Sequence, residues 1–171
     1  MRDRGLTVAR GVLRAGNGIN WLFGIATLAA LLVSFPLGDR LAAHLVAKYP
    51  HGDIAGTIAV VRVIGLLAIV AAVAAHQIFT RLLAIVATVD AGDPFIIDNA
   101  ARLRRIGWAL LSLQLLNLAA GAIIVLLDRM GVDHPTWAPG LTGWIAVVMV
   151  FALARVFQVG AAMRDDLAMT V

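Results

Sequence analysis

The sequence predicts an all-α integral membrane protein: a bundle of four transmembrane helices, N-in and C-in, with a short amphipathic helix in the first outer loop. Three observations carry that prediction. Of the 171 residues, 61% are apolar and 14% charged, where average soluble domains hold ~45–50% and ~25%. A soluble domain of this size hides only ~70% of the surface its chain exposes, so a mean hydropathy of +0.93 calls for a second solvent. The apolar residues gather in four runs, with the charges between them. Composition also excludes a disordered chain. With no cysteine, a disulfide framework, a cysteine nucleophile and a thiolate metal site are excluded too.

A helix rises ~1.5 Å per residue, so ~20 apolar residues cross a ~30 Å hydrocarbon core. Four spans satisfy this, at about 17–37, 57–81, 104–127 and 139–159. The first follows Arg2, Arg4, Arg10 and Arg14. It is too long for a signal-peptide core, and Ser34-Phe35-Pro36-Leu37 offers no cleavage site, so it reads as an uncleaved anchor. In the outer loop 38–56, Asp39 is a candidate N-cap, Leu41, Leu45 and Val46 recur at helical spacing, and Pro50 ends the pattern. These residues predict an amphipathic helix lying on the outer face. The second span runs into a cytoplasmic elbow, 86–103. There Gly92 fits the left-handed position that closes a helix, Pro94 prevents continuation, and Asp98 or Asn99 caps the third helix. The second and third helices are therefore expected to project beyond the bilayer. The third span is free of charge from Ile106 to Leu127. The outer loop 128–138 carries Gly131 and Pro135 and reads as irregular. The fourth span contains Arg155, placed to snorkel, and leads into a cytoplasmic tail, 160–171.

Orientation follows from the basic residues. With the N-terminus inside, Arg2, Arg4, Arg10, Arg14, Arg81, Arg102, Arg104, Arg105, Arg155 and Arg164 are inside, against Arg40, Lys48 and Arg129 outside. That is the positive-inside bias. Trp21 and Trp108 fall near the inner interface, Trp137 and Trp144 near the outer one. The net charge of +4 comes from short clusters between apolar runs, so these charges read as topology determinants and direct nucleic-acid binding is not expected.

Polar groups within spans are expensive and so draw attention. Arg62 and His76 are fourteen residues apart and share one face of the second helix. Gln114 and Asn117 share a face of the third, and Arg155 and Gln158 a face of the fourth. Interhelical hydrogen bonds are the plain expectation for this set. A ligand or proton path near His76, Gln114 and Asn117 is the functional alternative. All ten acidic residues are Asp and lie in loops or at helix ends, which argues against ion-coupled transport. His44, His51 and His134, near Asp53 and Asp133, are chemically acceptable metal ligands, but their spacing matches no metal motif. Neither a metal nor a cofactor is expected. No catalytic constellation is present, so an enzyme is not expected.

The richest segment is the elbow. Gly92-Asp93-Pro94-Phe95-Ile96-Ile97-Asp98-Asn99 sets three adjacent apolar residues in a polar connection, followed at once by Arg102, Arg104 and Arg105, while Arg164-Asp165-Asp166 arrives from the C-terminus. One expectation is that Phe95, Ile96 and Ile97 anchor in the interface, the arginines meet anionic headgroups, and Asp165 or Asp166 pairs with an arginine. The other is a docking surface for a cytosolic protein.

The run Gly92-x-Pro94-Phe95-x-x-x-Asn99-x-x-Arg102-Leu103-Arg104-x-Ile106-Gly107 resembles the signature of a bacterial membrane family, domain of unknown function 2975, the YoaS-like proteins. The run Val156-Phe157-x-x-Gly160-x-x-Met163-Arg164-x-Asp166-Leu167-x-x-Thr170-Val171 is similar to that family's ending, with Ala168-Met169 where members often carry an acidic residue and glycine. The resemblance implies four spans in the bacterial inner membrane and, because members are often encoded beside a small helix-turn-helix transcription factor, a regulator as partner. The leading expectation is a non-enzymatic scaffold, accessory subunit or regulatory partner. It would contact the lipid bilayer, a protein on its cytoplasmic side or within a larger membrane complex, and further copies of itself as a homo-oligomer. The rival is a small-molecule binder or transporter.

Overall fold

The computed structural model describes residues 4–48, 53–129, 137, 138 and 140–168. They form five helices: α1 (Arg4–Val33), α2 (Gly38–Lys48), α3 (Ile54–Asp90), α4 (Ile97–Arg129) and α5 (Thr142–Ala168). No strand occurs among the described residues. Four of the helices are long and apolar enough to cross a membrane. They contain most of the expected spans and run beyond them, because polar residues at the ends keep the helical hydrogen bonds going.

Helix ends follow local chemistry. α1 stops at Val33, short of the expected Leu37, because Pro36 has no N–H and disfavours helical backbone at Phe35. Ser34 Oγ donates to the Leu31 carbonyl at 2.6 Å, and a turn leads straight into α2. α2 starts at Gly38, so Asp39 lies in its first turn rather than capping it, where its charge favours the helix N-terminus. α3 is capped by Asp53, whose side chain accepts from the Gly56 N–H at 2.9 Å. Thr57, itself buried, donates its Oγ1 hydrogen to the Asp53 carbonyl at 2.7 Å.

The long helices are antiparallel neighbours in series. α1 packs on α3, α3 on α4 and α4 on α5, while α2 touches α3. Among the described residues α1 and α5 do not approach each other, so the layer stays open. Its tightest part is at the elbow end. Leu103, Ile106 and Ala154 are buried there, with Ile78, Leu82, Ile85, Leu110, Val150 and Phe157 around them. Three helices supply that core; α1 has no buried residue.

Candidate functional site at the elbow end

The elbow is closed by a Schellman motif. Gly92 has φ +81°, a left-handed conformation that a Cβ would strain. Its N–H reaches the Val89 carbonyl at 3.0 Å and the Asp93 N–H reaches the Thr88 carbonyl at 3.0 Å, satisfying two end carbonyls of α3. Pro94 then turns the chain away.

Asn99 does more than the expected cap. α4 begins earlier, at Ile97, which frees the Asn99 side chain to face inward. It is wholly buried. Its Nδ2 donates to the Pro94 carbonyl at 2.8 Å and to Thr88 Oγ1 at 2.7 Å, and its Oδ1 accepts from Arg102 Nη1 at 2.7 Å. One amide thus ties the end of α3, the elbow backbone and α4 together. The elbow is also fastened to α5. Phe95 packs on Phe157 with ring centroids 5.2 Å apart and lies over Gly160, where an added Cβ would come within 3.0 Å of its ring. Arg164 forms an ion pair with Asp93. Phe95 thus turns one face to α5 and keeps the other exposed, and Arg164 finds its carboxylate on the elbow. Asp166 is exposed near the end of α5.

The polar residues within the long apolar helices divide between interfaces. Arg62 and His76 both face α1. Arg62 Nη2 donates to the Ser34 carbonyl at 2.7 Å and its Nε to Ser34 Oγ at 3.2 Å, with the guanidinium 4.2 Å from the centre of the Phe35 ring. It so binds a carbonyl at the end of α1, where a cation is favoured. His76 Nδ1 lies 3.1 Å from Trp21 Nε1 and 2.9 Å from Asn17 Oδ1. As an acceptor it takes the indole N–H; as a donor it serves the amide oxygen. Asn20 Nδ2 donates to the Ala72 carbonyl at 2.9 Å, beside the close approach of Gly24 to Ala72. Gln114 and Asn117 look elsewhere. The Gln114 amide lies over Gly143 of α5, and Asn117 Oδ1 accepts from Trp137 Nε1 at 3.1 Å, with the indole over Gly121. The expected trio of His76, Gln114 and Asn117 is not brought together. Gln114 and Asn117 line a cleft of about 370 Å³ with Ala68 and Ala71 of α3.

Arginines mark one level near the elbow end. Gly16 of α1 faces Phe79 of α3, which puts Arg14 at the level of Arg81. Gln77 and Arg105 line one cleft, and Arg104 and Arg155 another. Arg155 Nη1 donates to Gln158 Oε1 at 3.1 Å. Arg81 Nε is buried without a partner. On α3, Arg62 and Arg81 are nineteen residues apart, which is about 28 Å of helix and close to the hydrocarbon thickness.

Of the histidines considered for metal, His44 is exposed on α2, while His51 and His134 lie outside the described residues, as do Pro50 and the Thr170-Val171 ending. Among the described residues no three His, Asp or Glu side chains converge as a metal site would require. Sequence reasoning missed Ser34, Thr88 and the glycines beneath aromatic rings. Ser34 carried a signal in its place two residues before Pro36; the glycine sockets carried none, because their partners are on other helices. Comparisons with family models, curated proteins and solved structures find no match for this chain.

Proposed function

We propose that this is a non-enzymatic, multi-pass protein of the bacterial inner membrane, N-in and C-in, that docks a protein partner on its elbow end as scaffold, accessory subunit or regulatory subunit. The observation that carries the reading is the fastening of the elbow. Asn99 clamps it from within, and Phe95 and Arg164 bind it to α5. A preorganised surface loses less entropy when it binds. Beside this clamp Ile97 is 58% exposed and Met163 63% exposed, next to the charges of Asp98 and Arg164. The likeness of the elbow to the YoaS-like signature supports a small regulator as the partner, and the arginine level supports this end as the cytoplasmic one.

The test uses photo-crosslinking residues at Asp98 and, as a control, at Ala43 of α2, in native membranes. The expected result is one discrete protein adduct at position 98 and none at 43, lost when Pro94→Ala loosens the elbow. Adducts to lipid alone at position 98 would overturn the docking reading. Because the chain has no cysteine, single cysteines at positions 40 and 98 report orientation separately: only position 40 should react with an impermeant reagent added from outside. The cleft at Gln114 and Asn117 favours a second reading, a small-molecule binder, without His76.

A further inference from the structure

We infer that the groove between α4 and α5 at the arginine level is a specific site for one anionic phospholipid, its phosphate held by Arg104 and Arg155. The groove has a volume of about 370 Å³, at the low end of the ~300–1,000 Å³ of small-molecule sites. Its two sides differ in chemistry. Arg104, Arg155 and Gln158 supply donors, while Ala100, Ala101 and Phe151 make an apolar wall. That combination fits an amphiphile with a negative head, and neither a free anion nor an alkyl chain alone would use both parts.

Charge balance points the same way. Arg164 has Asp93, and Arg10 has Asp90 at 3.0 Å. Arg104 and Arg155 share their groove with no carboxylate. Arg155 is held by Gln158 at 3.1 Å, which accepts one N–H and leaves the rest of the guanidinium to donate. Two guanidiniums lining one groove are like charges, and a phosphate bound there accepts from both through charge-assisted bonds. Depth agrees as well. The groove lies level with Arg14 and Arg81, about 28 Å along the helices from Arg62, so it opens where headgroup phosphates meet hydrocarbon. Phe151 and Ala154 precede Arg155 on α5, toward the apolar span, and give the first carbons of an acyl chain a surface to follow, while Ala100 and Ala101 leave room for the head on the elbow side.

The site rests on the reading of these helices as membrane spans, and on the proposed orientation only for the leaflet that supplies the lipid. The experiment is native mass spectrometry of the full chain, delipidated in detergent and titrated with phosphatidylglycerol or phosphatidylcholine. One phosphatidylglycerol should stay bound per chain, and phosphatidylcholine should not. Arg104→Gln and Arg155→Gln should each weaken retention about tenfold, while Arg14→Gln, at the same level on α1, leaves it unchanged. Ala101→Trp fills the apolar wall without touching charge and should also abolish the adduct. Glycerol phosphate at matching concentration should fail to compete, which separates a lipid from a free phosphate ester. Equal retention of phosphatidylcholine, retention in the Arg104→Gln/Arg155→Gln double variant, or an equal loss in Arg14→Gln overturns the site. Unchanged helical circular dichroism and elution volume for each variant exclude misfolding as the cause. Orientation is read by the cysteine labelling above and does not enter this result.

Discussion

The seam between α1 and α3 is sewn with hydrogen bonds, whereas the seam between α4 and α5 is made of rings laid on glycines. In the first, Asn20 reaches the Ala72 carbonyl, Trp21 and Asn17 meet His76, and Arg62 holds Ser34. In the second, Phe151 covers Gly107, Trp137 covers Gly121 and Phe95 covers Gly160. Trp108 adds an edge-on contact to Phe151 at 5.6 Å. Two helices in hydrocarbon gain no hydrophobic force by touching, so association must come from polar bonds or from close fit. Each solution predominates on one side of the α3–α4 hairpin, although the Phe79 ring also covers Gly16 in the first seam and Trp137 also donates to Asn117 in the second. The polar seam is a set of separable bonds. The ring seam depends on bare backbone and fails when a side chain is added.

Breaking the joint between the seams should have the largest effect. Asn99→Ala removes three hydrogen bonds from a wholly buried site, at about 3 kcal/mol for groups left unpaired. Asn99→Asp keeps the acceptor for Arg102 but loses both donors, so it should fall between. Reversible unfolding in bicelles measures both. Next comes the ring seam. Gly107→Leu puts a side chain where even a Cβ would come within 3.0 Å of the Phe151 ring, and overpacking of this kind costs about 2 kcal/mol. Phe151→Ala in the same chain should restore part of the loss, a rescue that a helix-propensity effect would not show.

The polar seam should respond more weakly and additively. Asn20→Ala and Arg62→Ala should each cost about 0.6–1.7 kcal/mol. Their sites are far apart along α3, so the double variant should equal the sum within about 0.5 kcal/mol. A large coupling would show that the seam acts as a unit after all. The smallest effect is expected for Arg10→Ala. Its pair with Asp90 is a third exposed on both sides, and such pairs contribute about 0.2–1 kcal/mol. Raising the salt concentration should remove most of the difference, which thermal denaturation in detergent can follow.

What could be read from the chain follows the range of each interaction. The apolar runs give the long helices because crossing hydrocarbon depends on local composition. Gly92 and Pro94 give the turn because backbone preference is local. Arg62 and His76 share a face by helical spacing alone, and both meet α1 in the structure. Asn99 was readable as a polar residue at a helix start, but its partner Thr88 lies back across the elbow, beyond any cap rule. The pairing of Gly107 with Phe151 depends on the register of α4 against α5, and no single-helix pattern contains it. The serial order of the helices is likewise a property of neighbours. Pro36 was in plain view; the apolar residues around it outweighed it, and α1 ends before it.

The length of α3 has a mechanical side. Its 37 residues make a rod of about 55 Å. Nine of them follow Arg81, carrying the elbow roughly 13 Å past the arginine level. The headgroup layer on one side of a bilayer is only ~5–8 Å deep. On the proposed reading of these helices as spans bounded at the arginines, the elbow would stand on a pier beyond the headgroups. On that reading a globular partner would reach it without parting lipids.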